Sequence, residues 1–235
     1  MGISRLGFST GVLHRSCNVK EAIKIIKDIG CKTVELGFAR YERIEQGQLD
    51  YIGANDLDGF DYVSLHAPKI SYGNNNETRE LFAKIERLNK ERPIDLVVVH
   101  PDLVQDFTIF DNVSFKVGFE NMDKHKLFFK HPDELEKVIK MNDSWKIVLD
   151  VNHIYTNDKS LKSTAEFYEK LGDRIAEFHL SGYVELHDSL YQTKQIEIIR
   201  AIDNFQTPII VESVLSPDTI GLERDYILKV IEDIV

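Results

Sequence analysis

Short apolar runs alternate along this chain with amphipathic stretches of helical period, and the alternation repeats eight times. RLGFST (5–10), TVELGF (33–38), YVSLH (62–66), LVVVH (96–100), KVGFE (116–120), KIVLD (146–150), IAEFH (175–179) and IIVE (209–212) have strand length. Their near-continuous hydrophobicity fits strands covered on both faces. Between them, Asn18 can cap VKEAIKIIKDIG (19–30), with Glu21 completing a capping box and Gly30 as the stop. Further helical segments are predicted over 77–91, from Pro132 through DELEKVIKMN, and over 160–171, 193–203 and 222–234, with a weaker one over 41–57. Strands and helices in this order predict an α/β fold, a single (β/α)8 or TIM barrel spanning 1–235. Between His100 and Glu120 there is room for little more than one helical turn, so the fourth helix is expected to be reduced. A doubly wound open sheet would gather ligands on Gly-rich turns at one switch point, and no GxGxxG or P-loop motif is present.

Six of the eight runs close on a residue type that binds metal: His66, His100, Glu120, Asp150, His179 and Glu212. At the C-terminal ends of barrel strands, such residues read as an active-site ring. Side-chain alternation then fixes the layers. If Asp150 faces the mouth, so does Val148, while Ile147 and Leu149 face the helices; Gly118 lies beneath Glu120 and Ile210 beneath Glu212. Carboxylates and imidazoles without thiolates suit Zn²⁺, Mn²⁺ or Mg²⁺. His153, in DVNH, and Glu185 and His187, in ELH, extend the donor set. A lone strand-end His is more often packed than ligating, but six coincidences on one face make a purely structural account poor. His14, His125 and His131 fall in polar loops and read as surface residues. By parity with His179 and Glu120, Glu177 and Lys116 point inward below the ring, and a buried charge must be paired. Glu177 is therefore expected to support a metal ligand from behind, balanced by Lys116.

Charge narrows the partners. A formal net charge of −10 and a pI near 5.3 leave no basic field to gather nucleic acid, and the balance leans toward small ligands. Cys17 and Cys31 lack CxxC spacing, which fits a reducing compartment, and no apolar run has membrane length, so a cytoplasmic location is expected. Nothing in the chain sets its oligomeric state.

From GFST to IVES the chain resembles the xylose-isomerase-like TIM barrels, the superfamily that joins endonuclease IV (AP endonuclease family 2) with sugar isomerases and epimerases; LGDRIAEFHL is similar to the family's approach to its metal histidine. The resemblance implies a shared metal site of Glu120, Asp150, His179 and Glu212. LHAPKISYGNN (65–75), VVVHPD (98–102), DVNH (150–153) and ELH (185–187) look like endonuclease IV, which implies up to three Zn²⁺. One would be held by His66, His100 and Glu120, a second by Glu120, Asp150, His179 and Glu212, and a third by His153, Glu185 and His187. Such a cluster implies a phosphoester hydrolase acting on abasic DNA or on a smaller phosphoester, with Glu120 and Glu212 central to catalysis. Two departures stand out. The endonucleases usually carry Asp-Arg-His where this chain has Glu185-Leu186-His187, and the short fourth connector removes loops that could grip a duplex. The alternative is an isomerase or epimerase of sugars, with one Mn²⁺ or Mg²⁺ and Glu120 and Glu212 moving a proton beside a carbonyl. Epimerase-like relatives often place an Arg soon after the strand-seven His, and SGYVELHDSLY has none. A barrel that binds a ligand without turnover is a third reading, against which intact Glu120 and Glu212 count.

Overall fold

The computed structural model describes residues 5–185 and 187–235. Strands β1 (Leu6–Ser9), β2 (Thr33–Gly37), β3 (Tyr62–His66), β4 (Leu96–Val99), β5 (Val117–Glu120), β6 (Lys146–Asp150), β7 (Ile175–Leu180) and β8 (Ile209–Val211) pair in sequence order, all parallel. The sheet closes where β8 returns to β1, with Gly7 opposite Ile210. Alternation sorts the side chains as the pattern requires. Val34, Leu36, Val63, Leu65, Phe119, Ile147 and Leu149 face out and join the main core beneath the helices, whereas Leu96, Val98 and Val148 form a separate cluster inside the barrel.

The first helix, Val19–Asp28, shows why local sequence suffices for much of the outer layer. Asn18 Oδ1 accepts from the Glu21 N–H and Glu21 Oε2 accepts from the Asn18 N–H, each at 2.9 Å, while Val19, Ala22, Ile23 and Ile26 bury one face. Gly30, at φ 85°, then releases the chain toward β2. The 41–57 segment holds two single turns, Glu42–Glu45 and Ala54–Leu57, separated by Gly47 at φ 71°. The 193–203 segment likewise splits into Leu190–Thr193 and Ile196–Arg200, with Lys194 left-handed between them.

The fourth connector is reduced to two 3-10 turns, Pro101–Leu103 and Phe107–Phe110. Aromatic packing takes the place of the missing helix. Phe107, Phe110 and Trp145 surround Phe119 on the outer face of β5, with ring centroids 5.3, 5.6 and 5.2 Å from it. Edge-to-face pairs of this kind contribute about 0.5–1.5 kcal/mol each beyond their buried area. Among the described residues, no helix is long and apolar enough to cross a membrane.

One glycine governs closure. A Cβ on Gly7 would lie 2.1 Å from the Thr33 carbonyl oxygen, a backbone atom that β1–β2 pairing holds in place. Gly7→Ala is therefore expected to cost about 3 kcal/mol or more, since overpacking against backbone has no rotamer escape. Urea denaturation checks this, and a midpoint unchanged from the wild type would show that the strands can part at no cost.

Candidate metal centre

The mouth ring rises from the strand ends. His66, Glu120 and Asp150 are the last residues of β3, β5 and β6, His179 is the penultimate residue of β7, and His100 and Glu212 follow β4 and β8 directly. Asn121 fixes part of the rim. Its Oδ1 accepts from the Asp150 N–H at 2.7 Å, and its Nδ2 donates to the Asp150 carbonyl at 2.9 Å, tying the end of β6 to β5. Asp150 Oδ1 in turn accepts from the His153 N–H at 2.9 Å and caps helix Val151–Asn157, which sets His153 over the site.

Two donor sets meet at one carboxylate. His66 Nε2 and His100 Nε2 lie 3.3 and 2.9 Å from Glu120 Oε2, while His179 Nδ1 lies 3.2 Å from Glu120 Oε1. His66, His100 and Glu120 offer donor atoms within 4.8 Å of one another, as do Glu120, Asp150, His179 and Glu212. Glu120 thus belongs to both sets, one oxygen toward each.

Stranded lone pairs argue that the sets fit divalent cations. Glu120 Oε2 and Asp150 Oδ2 are buried without a hydrogen-bond partner. His66 donates its Nδ1–H to the Ala67 carbonyl at 3.0 Å, and His153 donates its Nδ1–H to the Asn121 carbonyl at 2.7 Å. Their Nε2 atoms then face Glu120 Oε2 at 3.3 Å and Asp150 Oδ2 at 3.4 Å, and against the pull of burial these carboxylates hold both imidazoles above their usual range, His66 at about 9. A bound cation would take the place of the proton between each pair, and an imidazole whose other nitrogen is fixed by a carbonyl then presents Nε2 as a ligand.

Beneath the ring, Glu177 stands behind His179 as side-chain parity requires, and Glu35 joins it as a residue that strand-end reasoning missed. His179 Nε2 is 2.9 Å from Glu177 Oε1 and 3.2 Å from Glu35 Oε2, and both glutamates are fully buried. A carboxylate behind His179 leaves Nδ1 free to face the Glu120–Glu212 side. Glu35 sits mid-strand in TVELG, and an acid between Val34 and Leu36 in a buried run was the available signal. A bulge contributes too: Ile147 pairs with Ile175 but Val148 with Glu177, so Ala176 is an extra residue in β7 and the register beyond it seats His179 opposite Asp150 and Ile210.

Three expected placements differ from the structure. Lys116 is exposed, because β5 begins only at Val117 and its position is already on the open lower rim, where an ammonium keeps its water; Glu177 is paired with His179 instead. Glu185 is also exposed. Its N–H and that of Val184 donate to Asp188 Oδ2 at 2.9 and 2.7 Å, in a loop closed by Gly182 and Asp188, and Glu185 joins none of the donor groups among the described residues. His153 and His187 remain near each other, with ring centroids 6.0 Å apart, and His187 Nδ1 lies 3.1 Å from Ser181 Oγ. Among the described residues no third group of donors forms around them; Leu186 lies outside the described residues. Finally, His14 is half-buried and lines the mouth, whereas His125 and His131 are exposed.

The ring opens into a cavity of about 320 Å³. It is lined by His66, His100, Glu120, His153, His187 and Glu212 of the ring, and by Arg40, Arg43, Lys69 and Asp123. Burial shapes the titration of the ring. It pushes His100 down to about 4 and His187 down to about 3, so both rings are neutral donors at pH 7. It also pushes the Glu212 carboxyl up to about 7, against the pull of His179. For Glu212 the metal-free folded chain then holds a proton that the unfolded chain releases above its usual 4.5, so this contribution to stability is lost as pH rises through 7. Ion uptake has the opposite sense, because ligation needs the carboxylate. Zinc affinity is expected to rise, with proton release, between about pH 6 and 8. Calorimetric titration in buffers of different ionisation enthalpy measures both, and an affinity flat over that range would remove Glu212 from the ligand set.

Comparison with protein families and with curated proteins gives no match. Solved structures do match. A D-tagatose 3-epimerase-like protein superposes with a TM-score of 0.71 at 16% identity, covering 97% of each chain. Endonuclease IV from Thermus thermophilus superposes with a TM-score of 0.69 at 16% identity, covering 97% of this chain and 99% of that one. A 3-keto-D-glucoside 4-epimerase from E. coli gives 0.65 at 13%, covering 96% and 99%. These superpositions run over nearly the whole chain, and the closed (β/α)8 barrel that the sequence pattern predicts is the fold they share with it. At these identities the likeness is one of fold, and the neighbours divide between an endonuclease and epimerases.

Proposed function

We propose that this protein is a metal-dependent hydrolase of phosphoesters that works with at least two Zn²⁺ ions. The observation that carries the reading is the split environment of Glu120, whose Oε2 faces His66 and His100 and whose Oε1 faces His179. A one-ion site has no use for two further buried imidazoles at the ends of β3 and β4, whereas a two-ion site needs them. When bound, the paired ions would lower the pKa of a water for in-line attack at phosphorus and offset charge on the departing oxygen. The protein's part is to hold that arrangement. Glu120 would bridge; His66 and His100 would complete one ion, and Asp150, His179 and Glu212 the other. Glu177, hydrogen-bonded behind His179, keeps that ring's Nδ1 turned to the site. His153 and His187 stand at the cavity wall, where their rings could ligate a third ion or touch the leaving group.

The second reading is a sugar isomerase or epimerase with one Mn²⁺ or Mg²⁺. It is favoured by Glu212 itself, a carboxyl whose pKa of about 7 suits proton transfer beside a carbonyl. Metal content and turnover measured together on the purified protein test the choice. More than one ion per chain, with hydrolysis of bis(p-nitrophenyl) phosphate or of an oligonucleotide with an abasic site, is expected. A single ion, no phosphoester cleavage and interconversion of a ketose would replace the first reading with the second.

A further inference from the structure

The part of the cavity lining carried by the loops after β2 and β3 is cationic, and its charges lack carboxylate partners among the described residues. Arg43, on the turn after β2, is 9% exposed yet makes no ion pair there; its side chain has one long hydrogen bond, from Nη1 to the Gly37 carbonyl at 3.4 Å. A guanidinium has five donors, and burying it with most of them unmet is costly unless something else answers them. Arg40 and Lys69 line the same cavity and are likewise in no ion pair among the described residues. Elsewhere in this acidic chain cations do find acids, as Lys126 does at 2.7 Å from Asp102 and Arg87 at 3.1 Å from Glu91. The loops that carry the three are tied together. The Phe38 N–H donates to the His66 carbonyl at 3.0 Å and the Lys69 N–H to the Ala39 carbonyl at 3.1 Å, which ties the loops that carry the cations to the strand end that carries His66.

We propose that Arg40, Arg43 and Lys69 form an anion subsite that receives a second phosphate of the substrate, separate from the one at the metal centre. The substrate class is then a small phosphorylated molecule with two phosphate groups, such as a nucleoside or sugar carrying one phosphate at the ions and another at the wall. A cavity of about 320 Å³ suits a ligand of that size, and a chain of net charge −10 lacks the extended basic surface a duplex would need. The choice of phosphate as the anion rests on the phosphoester reading. The subsite itself would serve a phosphorylated sugar equally well, so the two can fail separately.

The test is calorimetric titration of inorganic phosphate into the zinc-loaded full chain. The wild type is expected to bind phosphate at two places, one at the ions and one at the wall. Arg40→Gln and Lys69→Gln, both at exposed positions and so safe for folding, are each expected to weaken the second event by about tenfold, as for loss of a charged hydrogen-bond donor. Arg43→Gln should abolish it, and Arg43→Lys should restore part. A single binding event in the wild type, or a second event that Arg40→Gln and Lys69→Gln leave unchanged, overturns the subsite. Hydrolysis of bis(p-nitrophenyl) phosphate, measured in parallel, judges the hydrolase reading by itself. Two phosphate events without any hydrolysis would keep the subsite and sink the hydrolase.

Discussion

Glu120→Gln is expected to yield a folded barrel with a collapsed metal centre. The substitution removes one negative charge and one anionic donor from a carboxylate that lies within 3.3 Å of His66, His100 and His179, so both donor sets lose their common member. Loss of an outer partner of a ligand costs roughly 10–100-fold in affinity or activity. Loss of a bridging ligand should exceed that, with turnover down on the order of a thousandfold and metal content at one ion or fewer. The fold should survive at some cost in stability, because glutamine keeps the shape of the side chain while the three facing imidazoles lose their common anion. Elemental analysis, circular dichroism and a phosphoesterase assay on the same preparation check all three. Wild-type metal content and rate would remove Glu120 from the mechanism.

The double variant His66→Ala, His100→Ala separates the two enzymatic readings. If two ions act, it should drop the stoichiometry by at least one, abolish phosphoester hydrolysis and leave an ion held by Asp150, His179 and Glu212, whose donors are untouched. If one ion acts on a sugar, the same variant should keep both its ion and its isomerisation. The rings are 5.0 Å apart and edge-to-face, and both are buried, so their joint removal also opens a void. A thermal melt therefore belongs beside the assay, and hydrolysis persisting in a stable double variant would defeat the two-ion reading.

How far the chain could be read in advance depended on what each residue answers to. Strand order, closure and the reduced fourth connector were legible because they follow from local spacing: too few residues lie between His100 and Glu120 for a full helix, and the structure has two 3-10 turns there. The inward parity of Glu120, Asp150 and His179 was legible for the same reason, since alternation is a property of the strand alone. Lys116 shows where parity stops helping. The rule gives a direction but not the depth at which the barrel ends. Glu185 was misplaced because a loop obeys its own hydrogen bonds, here those from the 184 and 185 N–H groups to Asp188, and no periodicity reports them. Glu35 lay outside the strand-end pattern, although an acid inside a buried strand is itself a signal. Arg40, Arg43 and Lys69 come together only through pairing of the loops after β2 and β3, a contact that a linear reading does not contain.

Trp145 is the chain's one tryptophan, and it stands edge-on against Phe119, the residue immediately before Glu120. Its indole is buried on the outer side of the strand whose inner tip would clasp the ions. That position predicts an optical reporter within the chain: the emission of its single indole is expected to follow the seating of β5. Ion loading, ion loss and unfolding can then be followed in real time on unlabelled material, each as a change in one intrinsic signal.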